Sequence, residues 1–151
     1  MIDGIEIRRA TPDDLEPVVD LLAAQLAEHD IPIDRPDLAF AAEALLRVPE
    51  RGAVLAAVRQ GSIVGVAALS YTWTLERGGA CAWLDELYVV PPLREHGIGN
   101  RLLAAAIAEA DAAGCVAVEL EVETSHARAE HLYLRHGFHP LPRRRWTRTL
   151  R

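Results

Sequence analysis

Lysine is absent from this chain of 151 residues: all 16 basic residues are arginine, set against 22 acids, for a formal net charge of −6. Cysteine is nearly absent too. Cys81 and Cys115 are the only two, which excludes a disulfide framework and a CxxC metal pair and points to a reducing compartment. Aromatic residues make up only 5% of the chain. No apolar run approaches the roughly 20 residues that span a bilayer. The opening Met1-Ile2-Asp3-Gly4 has neither the basic nor the apolar region of a signal peptide, so a cytoplasmic protein with no membrane partner is expected.

Acids are missing from the tail. Residues 1 to 130 carry ten arginines and all 22 acids, whereas residues 131 to 151 carry six arginines and none. The run Arg143-Arg144-Arg145 lacks the interleaved aromatics of a nucleic-acid surface, and no nucleic-acid partner is expected. What is present is a chain half apolar and a quarter charged. That composition predicts one compact domain over residues 1–151, with a core large enough to need no metal or disulfide staple.

Periodicity divides the chain into elements. Ile5 to Arg9 alternates as a half-buried strand. Thr11 then offers an N-cap, followed by Pro12 and the acids Asp13 and Asp14, and Leu15, Val18, Val19, Leu22 and Leu26 form a helical stripe. A second helix is predicted from about Asp37 to Arg47. Strands at Ala53–Arg59 and Ser62–Ser70 flank the tight turn Gln60-Gly61, and a third long strand runs from Ala82 to Val90, where Pro91-Pro92 ends it. A helix from Ile98 to Ala113 stops at Gly114, and Val116 to Glu123 alternates again, with Glu119, Glu121 and Glu123 on one face. A short helix, His126 to Arg135, and a closing strand, Trp146 to Leu150, complete the order. The prediction is an α/β fold, an α+β sandwich, whose mixed, mostly antiparallel central sheet of six to seven strands is flanked by about four helices.

The loop Arg94-Glu95-His96-Gly97-Ile98-Gly99 follows a strand and opens a helix, where outward N–H groups and the helix dipole suit an anion. Gly97 and Gly99 let successive amides approach a diphosphate. Leu102 stands where a dinucleotide fingerprint needs its third glycine, and GxxxxGK[ST] is absent. Four histidines between His126 and His139 are spaced by five, five and three residues, so no metal site is expected.

Three segments together resemble the GNAT N-acetyltransferase superfamily: Leu84-Asp85-Glu86-Leu87-Tyr88-Val89-Val90-Pro91, then Arg94-x-x-Gly97-x-Gly99, then His126-x-x-Ala129-x-x-x-Tyr133-x-x-x-Gly137-Phe138. The resemblance implies acetyl-CoA as cosubstrate and two splayed central strands, with a bulge at Val89-Val90 opening the slot between them. It implies that the backbone of Leu87, Tyr88 and Val89 pairs with the pantetheine arm. It also implies that Arg94, Glu95, His96, Gly97, Ile98, Gly99 and Asn100 hold the pyrophosphate, and that His126 stands where the family usually has an asparagine contact. Tyr133 is the implied acid for the departing thiolate. Two carboxylates occupy positions where family members carry a base, Glu121 first and Asp85 second. On a regular strand Asp85 and Glu86 point to opposite faces, so one of them at most faces the thioester.

An acidic wall of Glu119, Glu121 and Glu123 suits a small cationic amine as acceptor. The resemblance implies that the region from Glu28 to Asp37 and the segment Tyr71-Thr72-Trp73-Thr74 border its pocket. Protein N-terminal or lysine acetylation, and a non-catalytic acyl-CoA-binding module, stand as alternatives. The closing strand is where a homodimer would pair.

Overall fold

The computed structural model describes residues 2–123 and 125–151. They form two compact units, one ending at Glu121 and one running from Val122 to Arg151.

The first unit is a five-stranded sheet in the order β1-β2-β3-β4-β5. Its strands are β1 (Ile5–Arg9), β2 (Gly52–Arg59), β3 (Ser62–Thr74), β4 (Gly79–Val89) and β5 (Ala117–Glu119), and its helices are α1 (Leu15–Glu28), α2 (Arg35–Arg47) and α3 (Ile98–Ala112). The first three pairings are antiparallel and β4–β5 is parallel, as the α3 crossover requires. Both residues of the β2–β3 turn, Gln60 and Gly61, adopt positive φ, the geometry of a two-residue hairpin that follows strand twist. Entry into α1 is capped: the Thr11 N–H donates to Asp14 Oδ2 at 2.7 Å, and the Arg8 guanidinium beside it holds the Asp14 carboxyl down at about 2.

Parity along the strands sorts the core into two layers. Val54, Ala56, Val66, Ala68 and Tyr88 pack under Val18, Val19, Leu22 and Leu26 of α1 and Leu38 and Ala42 of α2. The opposite face meets α3, whose Leu102, Leu103, Ala106 and Ala110 are buried. There the fit is close enough that a Cβ on Gly65 would lie 2.9 Å from Leu102 Cδ1. The two helical layers thus approach β4 from opposite sides.

Three expectations are corrected. Among the described residues the sheet has five strands rather than six to seven. β5 is three residues long, so Glu119, Glu121 and Glu123 do not share a strand face, and Glu119 is paired to Arg77 at 2.9 Å. The closing strand Trp146–Leu150 does not form. The apolar members of its alternation, Trp146 and Leu150, find no cover, since residues 139–151 are exposed throughout, and an extended segment without a buried face or a ladder partner gains nothing from strand geometry.

In the second unit α4 spans Ala127–Arg135 and ends in a Schellman motif. The Phe138 N–H donates to the Tyr133 carbonyl at 3.1 Å, and the Gly137 N–H, with φ of 85°, donates to the Leu134 carbonyl at 3.1 Å.

Candidate active site

The N-terminus of α3 has the backbone geometry that an anion cradle of the expected kind needs. Gly97 takes the left-handed conformation, φ 83°, as the N-cap. The first helical hydrogen bond is Arg101 N–H to the Gly97 carbonyl at 3.1 Å, so the Gly97, Ile98 and Gly99 amides ahead of it have no intrahelical acceptor. Glu95 also has positive φ, 68°, and the turn from Arg94 to Gly97 is exposed. No acid stands in the first turn of α3, which leaves the positive end of the helix dipole uncompensated within the helix. A Cβ on Gly99 would meet only Val89 Cγ2, at 4.0 Å; the room is for backbone to approach a ligand. These features fit the diphosphate of coenzyme A. Arg94 is otherwise engaged: its Nε donates to the Val89 carbonyl at 2.8 Å, its terminal nitrogen bridges the Glu28 carboxylate at 2.8 and 3.1 Å, and its guanidinium stacks over the Tyr88 ring. With no lysine in the chain, the cradle consists chiefly of amides and the helix dipole.

The slot lies where β4 loses its second neighbour. Pairing with β5 ends at Trp83↔Glu119, whereas β4 runs on to Val89. Val90 N–H donates to the Val64 carbonyl, so along β4 the groups of Val90 and Tyr88 turn toward β3, and those of Val89 and Leu87 turn to the open edge. Side chains confirm this alternation. The Val89 carbonyl is taken by Arg94 and the Leu87 carbonyl by Gln25 Nε2 at 3.2 Å. Of the three backbones expected to meet pantetheine, Leu87 and Val89 face the slot and Tyr88 faces β3.

The bulge is also elsewhere than expected. Leu69 pairs with Leu84 and Ala68 with Glu86, which leaves Asp85 as the extra residue; Val89 stays in register opposite Gly65. Asp85 is exposed and Glu86 is half-buried on the Tyr88 face, beneath the end of α1. Burial, and then the neighbouring Asp85 charge, push the Glu86 carboxyl from the usual 4.5 up to about 7, with His29 of the α1 terminus opposing the rise. Glu86 is the residue that the strand pattern misses, and no local sequence signal marks it. The end of α1 does reach β4, because Tyr88 Oη donates to Glu28 Oε1 at 3.4 Å. Trp73 lies far from the slot: it pairs with Ala80 near the start of β4, seven residues before Leu87 or about 23 Å along an extended strand. Glu121 is exposed beyond the end of β5.

Tyr133, in the second unit, is half-buried, and its ring meets Phe138 edge to face at 5.8 Å. The two residues occupy the first and last positions of the Schellman motif. The spacing Tyr-x-x-x-Gly-Phe is therefore a helix terminator with its hydrophobic contact, whatever else the hydroxyl does. His126 is the N-cap of α4, 4.0 Å from Glu123.

The sheet opens beside a glycine-rich helix N-terminus, an arrangement with room for an extended ligand that ends in a diphosphate. The model of the acetyltransferase (GNAT) family matches residues 16–138, and the chain belongs to that family. It is an N-acetyltransferase. Among curated relatives, the aminoalkylphosphonate N-acetyltransferase of Salmonella typhimurium is 33% identical over 134 residues, which is 88% of this chain and 84% of that protein. Among solved structures, a possible acetyltransferase from Clostridium difficile 630 superposes with a TM-score of 0.84 at 23% identity, covering 98% of this chain and 99% of that one. AAC(6')-Iy, solved with the bisubstrate analogue CoA-S-monomethyl-acetylneamine, gives 0.82 at 19%, covering 97% and 98%. No described helix is long and apolar enough to cross a membrane.

Proposed function

We propose that this enzyme transfers acetyl from acetyl-CoA directly to the primary amine of a small molecule, with Glu86 as the general base. The observation that carries the proposal is a half-buried carboxyl with a pKa of about 7, adjoining the two residues whose N–H groups line the open edge of β4. An alkylammonium of pKa ~10.4 costs about 4.6 kcal/mol to deprotonate at pH 7, and a base poised near neutrality removes that proton most effectively. The amine lone pair then attacks the thioester carbon as the N–C bond forms. The oxyanion collects on the Leu87 and Val89 N–H groups, the C–S bond breaks, coenzyme A leaves as thiolate, and the new amide nitrogen releases its remaining extra proton to solvent. Asp85 acts through Glu86 by holding its pKa up, and the diphosphate sits on the Gly97–Gly99 amides.

Tyr133 protonates the thiolate, an assignment that rests on its place in the family motif. Tyr133→Phe keeps the ring contact with Phe138 and the helix end. It is expected to lower kcat by about tenfold or more while leaving acetyl-CoA affinity unchanged, as measured by steady-state kinetics and calorimetry. Unchanged kcat removes the hydroxyl from the reaction.

The acceptor class draws support from the relatives, one named for aminoalkylphosphonates and one holding an acetylneamine analogue. It also draws on the neighbouring carboxylates Asp85 and Glu86 beside the open edge of β4. The test is free-thiol release from acetyl-CoA with aminoalkylphosphonates, aminoglycosides, simple diamines and peptides. Turnover with at least one small amine is expected, and turnover with peptides alone overturns the reading.

A further inference from the structure

Gln25 stands in the apolar stripe of α1, between Leu22 and Leu26, and is 7% exposed, buried as deeply as the residues around it. Its Nε2 crosses to the open edge of β4 and donates to the Leu87 carbonyl at 3.2 Å. Its Oε1 is buried and finds no hydrogen-bond partner among the described residues. An amide with one satisfied end and one orphaned end is a poor contributor to stability, because the desolvation penalty of the orphan offsets the single bond gained. Leucine and methionine match its helix propensity and approximate its size, and either fills an apolar stripe without an orphan.

The bond falls on one particular peptide. Leu87 lies past the end of the β5 pairing, and its N–H and carbonyl both turn away from β3, so the sheet supplies no ladder partner on that side. The Gln25 bond fixes that residue from the α1 side, just as Arg94 Nε fixes Val89. Both carbonyls of the open edge are thereby anchored by side chains.

We propose that Gln25 is a positioning residue for acetyl transfer: by holding the Leu87 carbonyl it keeps the Leu87 N–H aimed into the slot as an oxyanion donor. This rests on the reading of Leu87 as that donor. The contribution lies in preorganisation, since a donor that wanders must be reoriented at the moment charge develops.

The test uses Gln25→Leu and Gln25→Met in the full chain. The melting temperature is expected to hold or rise, the acetyl-CoA Kd to stay unchanged, and kcat to fall about ten- to hundredfold, with the acid limb of the pH profile in place. Isotope-edited infrared spectra of bound [13C]acetyl-CoA separate this proposal from the reading beneath it. The wild-type complex should show the thioester carbonyl band shifted to lower frequency than in free acetyl-CoA, and both variants should lose part of that shift. A wild-type complex with no shift overturns the Leu87 donor and the role of Gln25 together. A shifted wild type, with variants that keep both shift and kcat, overturns Gln25 alone. If melting temperature and kcat fall together in both variants, Gln25 is a packing residue and the proposal fails.

Discussion

Glu86→Gln is expected to lower kcat/KM by about 10²- to 10⁴-fold, the range that a positioned general base contributes. It should also abolish the acid limb of the pH–rate profile, whose wild-type midpoint falls near the Glu86 pKa of about 7. The substitution preserves shape and the polar seam with α1, so loss of the proton acceptor is the change that is read. Asp85→Asn removes the second cause of the raised pKa, after burial. It should shift the limb toward acid and leave turnover at high pH largely intact. Glu121→Gln, altering an exposed carboxylate outside the strand, should change the profile little. An acid limb that persists in Glu86→Gln moves the base to Glu121 or Asp85.

Thermal unfolding gives an independent check on Glu86. Its folded pKa lies above the ordinary 4.5 of an unfolded glutamate, so between these values the folded state binds the proton that the unfolded state has released. Stability therefore falls as pH rises through that window, and the full penalty is present above about 7. Glu86→Gln should melt higher than wild type at pH 8 and should lose that advantage at pH 4. A variant that is more stable yet nearly inactive is what a base strained by burial predicts. One that is less stable at pH 8 contradicts the burial of the charge.

Gly97→Trp is expected to abolish the rise in melting temperature that saturating acetyl-CoA produces. At a ligand concentration of about 100 Kd that rise corresponds to about 2.7 kcal/mol. Two effects act together. Gly97 sits at φ 83°, where an L-residue is strained, and an indole placed at the N-cap covers the amides that face the diphosphate. Arg94→Ala should weaken acetyl-CoA binding far less, since that guanidinium is held by Glu28 and Val89. Calorimetric titration of both variants tests the contrast. Equal losses would return the diphosphate to the arginine, and a persisting thermal shift in Gly97→Trp would remove it from this loop.

Much of the fold was legible in the chain. Thr11 and Pro12 mark the entry to α1, Gln60-Gly61 the hairpin, Pro91-Pro92 the end of β4, and Gly97 and Gly114 the limits of α3. Each works within a few residues through a backbone preference, so each can be read without knowing what packs against it. The same holds for the end of α4, where the Tyr133 to Phe138 spacing encodes a helix terminator. Trp146–Leu150 misled because alternation predicts a strand only where one of its faces finds something to cover it.

The carboxylate proposed as the base and its supports were not legible, for a physical reason of the opposite kind. A glutamate on a regular strand would take its face from simple alternation. The extra residue at Asp85 breaks that count, and it exists only in the register between β3 and β4. The pKa of Glu86 depends on α1 lying over it, and the engagement of Gln25 depends on β4 having outrun β5. By itself the sequence determined most of the elements, the glycine turn that opens α3 and the family, because these depend on local backbone chemistry in fixed order. Only the tertiary structure decided which acid is half-buried with a raised pKa and which backbone groups face the slot, because burial and strand register are relations between residues distant in the chain, such as Ala68 and Glu86 across the bulge or Gln25 and Leu87.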